Sequence, residues 1–138
     1  MERVGRRLAE AEAALATLEE AVKVASRSDI ERDSAILRLI YTFEAIWKSC
    51  QALLAHLEDI EVGSANTAIR AARRLGWLSD DDAEAARNIG KDRNLAVHMY
   101  RGQLGAEIER RLAGHAALLR RWLDALRQRA AAAAADDL

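Results

Sequence analysis

No proline occurs anywhere in the 138 residues, and glycine occurs only seven times, so little in the chain is built to stop a helix once it has begun. The residues that fill the remaining positions are mainly Ala, Leu, Arg and Glu, which lose little side-chain freedom in a helix, while β-branched strand formers are few. The composition predicts an all-α fold. A chain of this length suffices for one domain with a real core, and no internal repeat or long linker divides it. The expected organisation is therefore a single helical domain over 1–138, in which residues from about 130 onward form a fraying helical tail.

The apolar spacing resolves this into elements. Val4, Leu8, Ala11, Leu15, Leu18, Val22 and Ala25 recur at steps of four and three, a narrow coiled-coil-like stripe on a long first helix. Ser28 followed by Glu31 has the spacing of a capping box and opens a second helix that runs to about Leu57. Its expected inward face is Ile36, Leu37, Ile40, Phe43, Trp47, Cys50 and Leu54. Ser64 caps a short helix carrying Ile69, Ala72 and Leu75 that stops at Gly76. Ser79 and Asp80 to Asp82 then restart a helix, because a serine cap and early carboxylates satisfy free amides and oppose the positive end of the helix dipole. The segment from Arg101 to Gly105 reads as a break before a fifth helix bearing Ile108, Leu112, Leu119, Trp122, Leu123 and Leu126. Short connections between amphipathic helices make an antiparallel up-and-down bundle of four to five helices.

Charge and cysteine narrow the functional classes. Acidic and basic residues nearly cancel, for a formal net charge of −1, so the total does not announce a nucleic-acid or membrane binder. No apolar run approaches the roughly 20 residues that span a bilayer, and the N-terminus has no signal-like apolar stretch, which predicts a cytoplasmic location. Cys50 is the one cysteine, which excludes an internal disulfide, and no Cys/His spacing suits zinc. Neither a structural metal nor a cofactor is expected.

The stretch richest in chemistry is Asp92-Arg93-Asn94-Leu95-Ala96-Val97-His98-Met99-Tyr100, on the fourth helix. Histidine can take and give a proton near neutral pH, and arginine can hold a phosphate with two parallel hydrogen bonds while staying charged. Attack by a ribose 2′-hydroxyl on its neighbouring phosphate needs a base, an acid and cationic donors, and no metal. One Arg93 and one His98 supply half of that set. An isologous dimer with this patch on its axis would supply both halves. At about 100° per residue, Arg93 and Tyr100 share one helix face while Asn94 and His98 share another. Either the helix loosens before His98, or the two faces line opposite walls of a groove.

These residues resemble a known family, the helical partners of minimal nucleotidyltransferases in the HEPN superfamily, also called HepT-like or nucleotidyltransferase substrate-binding proteins. The nine-residue stretch is similar to the family's Arg-x4-His-x-Tyr signature. Tyr41 to Lys48 resembles its aromatic-Glu-aliphatic-Trp-Lys stretch, and Ser64 to Leu78 looks like its short third helix. The resemblance spans roughly Asp29 to Tyr100 and implies a homodimer with a groove between protomers, paired with a minimal nucleotidyltransferase antitoxin. Carried over by position, it makes Arg93 the phosphate-binding residue and His98 the acid or base of a metal-independent endoribonuclease toxin. Asp92 and Asn94 would orient them, and Tyr100 would accept AMP from the partner, which silences the toxin. Other family members imply a non-catalytic substrate-binding subunit.

Plainer readings stand beside these. An isolated His98 would ordinarily pair with a carboxylate such as Asp92. Arg70, Arg73 and Arg74, at helical spacing, form either a contact surface for RNA or the partner, or a solvated face. Glu44 and Lys48, one turn apart, make an ordinary intrahelical ion pair that could also position groups near the groove. His56 and His115 read as surface or interface residues, Cys50 as a small buried hydrophobe, and Trp47 and Trp122 as core. Trp77 serves as an exposed contact or as the hydrophobic closure of a helix end. The stripe on the first helix leaves a third possibility, a purely structural dimerisation module.

Overall fold

The computed structural model describes residues 1–99 and 102–137, and side chains in 1–98 and 105–137. Five helices follow one another: α1 (Glu2–Val22), α2 (Asp29–Glu58), α3 (Ala65–Arg74), α4 (Asp80–Met99) and α5 (Gly102–Asp136). Helix starts match their local chemistry. The Ser28 hydroxyl accepts from the Glu31 amide while the Glu31 carboxylate accepts from the Ser28 amide, and Ser64 and Thr67 form the same reciprocal box. Ser79 Oγ accepts from the Asp82 amide at 3.0 Å, with three aspartates in the first turn of α4. At the end of α3 the chain turns through Gly76 at φ +76°, a left-handed conformation that a side chain would strain.

Ion pairs between helices report their directions. Arg27 bonds Glu109, and Arg120 reaches both Glu19 and Glu12, so α5 runs antiparallel to α1. Arg121 bonds Asp82 and Arg111 bonds Asp92, which sets α5 antiparallel to α4 as well. α1 lies along α2, α5 packs on α1, α2 and α4, and α3 bridges α2 and α4. The all-α up-and-down bundle expected from the sequence is present, with five helices among the described residues.

One continuous cluster of buried side chains draws on every helix. The α1 stripe of Val4, Leu8, Ala11, Leu15 and Leu18 is buried, packed against α2 and α5 within the chain. That leaves it no surface for a coiled-coil partner, so the structural dimerisation module loses its basis; Ala25, past the end of α1, is exposed. At the centre, Phe43 and Trp122 meet with ring centroids 6.5 Å apart at 59°, a tilted arrangement that aromatic quadrupoles favour. Trp47 is buried too.

Three local expectations are corrected. Leu37 is 46% exposed, because α2 is a long helix whose inward face rotates past position 37 while Ala35, Ile36 and Leu39 take the core positions. Gly102 to Gly105 continue as the first turn of α5, since glycines at a helix start are tolerated where packing of the following residues is strong; Arg101 lies outside the described residues. Trp77 is 5% exposed with the Arg129 guanidinium over its ring at 5.2 Å, so it closes the end of α3 against the bundle and offers no exposed contact.

Candidate functional site

Helix geometry distributes the chemistry of α4 over opposite sides. Arg93 faces α2: its Nη1 donates to Glu44 Oε1, its Nε donates to Asn94 Oδ1 at 2.9 Å, and its guanidinium lies 5.3 Å from the centroid of the Phe43 ring. A carboxylate, an amide and an aromatic face thus hold the cation in one orientation. Both members of the pair are partly open to solvent, with side-chain exposures of 25% for Arg93 and 30% for Glu44. The guanidinium is therefore fixed at the molecular edge and not sealed in the core.

Asp92, its neighbour, points toward α5. Arg111 donates to it through Nε at 2.9 Å and Nη2 at 2.8 Å, and His115 Nε2 stands 2.7 Å from its Oδ2. Burial alone would push the Asp92 carboxyl up, but the hydrogen bonds from Arg111 and His115 and the Arg111 charge outweigh it and hold the carboxyl below the usual carboxylate range. His115 is 8% exposed, which corrects its reading as a surface or interface residue: an imidazole on a core face is tolerated once a carboxylate satisfies it. His56 is exposed, as expected.

His98 sits exposed in the last turn of α4, which stays helical through Met99. The helix does not loosen before it. Five residues of regular helix place His98 about 140° around and roughly 7.5 Å along the axis from Arg93, so one chain does not bring the two side chains together. Asp92 directs its bonds to Arg111 and His115, so the ordinary Asp92–His98 pair is absent. Of the residues expected to support Arg93, Asn94 touches it and Asp92 does not. Tyr100 lies outside the described residues.

Arg70, Arg73 and Arg74 are exposed on α3, and Arg73 Nε bonds Asp80 Oδ1 at 2.7 Å. Arg93 lies thirteen residues beyond Asp80 on α4, about 20 Å along the axis, so these arginines stand apart from the motif. Glu44 pairs with Arg93 across 49 positions, where the sequence suggested Lys48. Cys50 is fully buried and its thiol is pushed up to about 12 by burial, the behaviour of a small hydrophobe.

Beside the Glu44–Arg93 pair the surface turns apolar. Leu37 and Tyr41 on α2 are 46% and 59% exposed, and Val97 on α4 is 59% exposed. Leu37, Tyr41 and Glu44 share one face of α2, and Arg93, Ala96 and Val97 share one face of α4, by their spacings of three, four and seven. Between the helices runs a shallow cleft of about 250 Å³ lined by Asp33, Ile36, Leu37, Ile40 and Ala96.

The family model described as "Nucleotidyltransferase substrate binding protein like" matches residues 6–128. The chain belongs to this family. A protein from Thermus thermophilus, known from its crystal structure, is 45% identical, covers 85% of this chain and 98% of its own, and superposes with a TM-score of 0.81. Two further structures share the fold at low identity. One is a tri-AMPylated Shewanella oneidensis HEPN toxin in complex with MNT antitoxin, 16% identical over 91% of this chain and 96% of its own, with a TM-score of 0.76. The other is a mutant of the MntA-HpeT toxin-antitoxin pair, 15% identical over 93% of this chain and 99% of its own, with a TM-score of 0.77. Among curated proteins none matches. No helix among the described residues is long and apolar enough to cross a membrane.

Proposed function

We propose that this member of the nucleotidyltransferase substrate-binding family is the toxin of a toxin-antitoxin pair. In this reading it is a metal-independent endoribonuclease that works as a two-fold dimer, and a nucleotidyltransferase partner silences it by AMP transfer to Tyr100. The observation that carries the reading is the placement of Arg93: a guanidinium held in a fixed orientation by Glu44, Asn94 and Phe43 at the edge of an exposed apolar face. A second copy docked on Leu37, Tyr41 and Val97 would bury that face and bring two Arg93 and two His98 side chains to one cleft. Arg93 then binds the scissile phosphate, and the two imidazoles divide the roles of base and acid that a single chain cannot fill. Two solved toxin-antitoxin structures share this fold, which supports the pairing.

Incubating the purified protein with RNA in EDTA tests the chemistry. Cleavage by wild type that disappears in His98→Ala, with the dimer intact, is the expected result. Metal-dependent cleavage, or cleavage indifferent to His98, would overturn it.

A second reading, a non-catalytic subunit that presents substrate to the nucleotidyltransferase, draws on the Glu44–Arg93 pair. A cation already neutralised within its own chain has less charge left to offer RNA. In that case wild type and His98→Ala are equally inert toward RNA, while both still bind a minimal nucleotidyltransferase.

A further inference from the structure

The side of α4 turned away from Arg93 carries its own constellation. Asn88, Lys91, Asp92 and Leu95 recur at steps of three, one and three and face Arg110, Arg111, Gly114 and His115 of α5 across an open groove of about 570 Å³. Three cations line it against one carboxylate, in a chain whose formal net charge is −1. The carboxylate is Asp92, and it lies at the floor, 5% exposed.

Asp92 occupies one edge of the Arg111 guanidinium, the edge formed by Nε and Nη2. Among the described residues no hydrogen bond takes the Nη1 end, the Glu107 carboxylate one turn earlier on α5 acts on the Arg111 charge only through space, and the Arg111 side chain is 44% exposed. A planar fork clamped along one edge and open at the other is pre-oriented for an oxyanion, since the ordering cost is already met by the fold. At the rim, Lys91 and Arg110 are exposed, and among the described residues neither is within ion-pair distance of a carboxylate. Glu84, the carboxylate whose pKa feels Lys91, is committed to Arg87 at 2.8 Å. Ala85 and Leu95 supply an apolar wall beside these cations, and the volume falls in the range of small-molecule sites.

We propose that the α4–α5 groove binds a nucleotide phosphate, carried either on a free nucleotide or within an RNA chain. The phosphate sits between Arg111 Nη1, Lys91 and Arg110, and the ribose or base lies on Leu95 and Ala85. This site does not depend on the ribonuclease reading. Lys91 and Arg93 are about 200° apart around α4, so the groove and the Arg93 edge can be altered separately.

Titrating the isotopically labelled full chain with AMP, and in parallel with a ten-nucleotide single-stranded RNA, tests the site by amide chemical shifts. Saturable shifts at residues 88–95 and 110–115 are expected. The double variant Lys91→Gln/Arg110→Gln, exposed at both positions, should fold normally and weaken binding at least tenfold. A charge-matched control, Arg3→Gln/Arg6→Gln on α1, should bind like wild type. Saturation by AMP identifies a free nucleotide as ligand, whereas shifts confined to RNA, with a salt dependence whose slope falls by about 1–2 in the double variant, identify the polymer. The proposal is overturned if neither probe shifts these amides, if the double variant binds as wild type does, or if a polyglutamate peptide shifts them at equal or lower concentration.

Discussion

Two adjacent residues, Asp92 and Arg93, show how far neighbours in sequence can diverge in space. A step of about 100° sends one carboxylate to α5 and one guanidinium to α2. Each finds a partner of opposite charge there, but the two pairs differ in energetic weight. Glu44 and Arg93 keep about a quarter to a third of their surface in water, so their mutual attraction is screened and modest. Asp92 is almost wholly buried and satisfies a buried imidazole, so its loss leaves that group without its bond, at a cost of roughly 1–3 kcal/mol. Its carboxyl is depressed in the folded state, so its contribution is fully present above the unfolded carboxylate value near 4 and is lost as pH falls through the lower folded value. Urea unfolding of Asp92→Ala, which keeps neither the carboxylate nor an acceptor for His115, should accordingly give lower stability at pH 7 and a shallower fall in stability between about pH 5 and pH 2.5 than wild type. A parallel loss at all pH values would show that Asp92 does not carry this linkage.

The helices owe their ends to local chemistry and their interiors to packing, and two glycines separate these causes. Gly76 holds φ +76°, where a Cβ is disfavoured by about 1 kcal/mol. Gly90 lies buried inside α4, and a Cβ there would meet Phe43 Cζ at 3.5 Å and Cε2 at 3.8 Å, ordinary contact distances. Alanine at position 90 therefore gains helix propensity without a clash. Gly76→Ala should lower stability by about 1 kcal/mol and Gly90→Ala should raise it by roughly 0.5–1 kcal/mol, both read from denaturant midpoints at unchanged slope. Capping boxes and apolar periods made these elements legible in the sequence. The start of α5 was not, because Gly102 and Gly105 look locally like a break, and only the burial of Ile108 and Leu112 against the bundle shows why helix continues through them.

For the molecule as a whole, the core is one contiguous cluster centred on Phe43 and Trp122. Trp122→Ala removes a fully buried ring and should cost about 3–5 kcal/mol, a large fraction of the stability of an ordinary domain; a calorimetric transition close to that of wild type would contradict this packing. The exposed side chains make the opposite prediction. Leu37→Asp should leave the melting temperature of the isolated chain nearly unchanged, since its side chain is 46% exposed. In sedimentation it should convert the proposed dimer to monomer. The family and the helical class could be read from sequence because capping, apolar period and a nine-residue motif depend on residues close along the chain. Arg93 and His98 stand out in the sequence through the same motif, and their roles belong to the proposal. What only the tertiary structure decided is the partner each charged group takes. Glu44 meets Arg93 over a separation of 49 residues and His115 meets Asp92 over 23, and electrostatic attraction follows distance in space, which helix packing sets and sequence spacing does not.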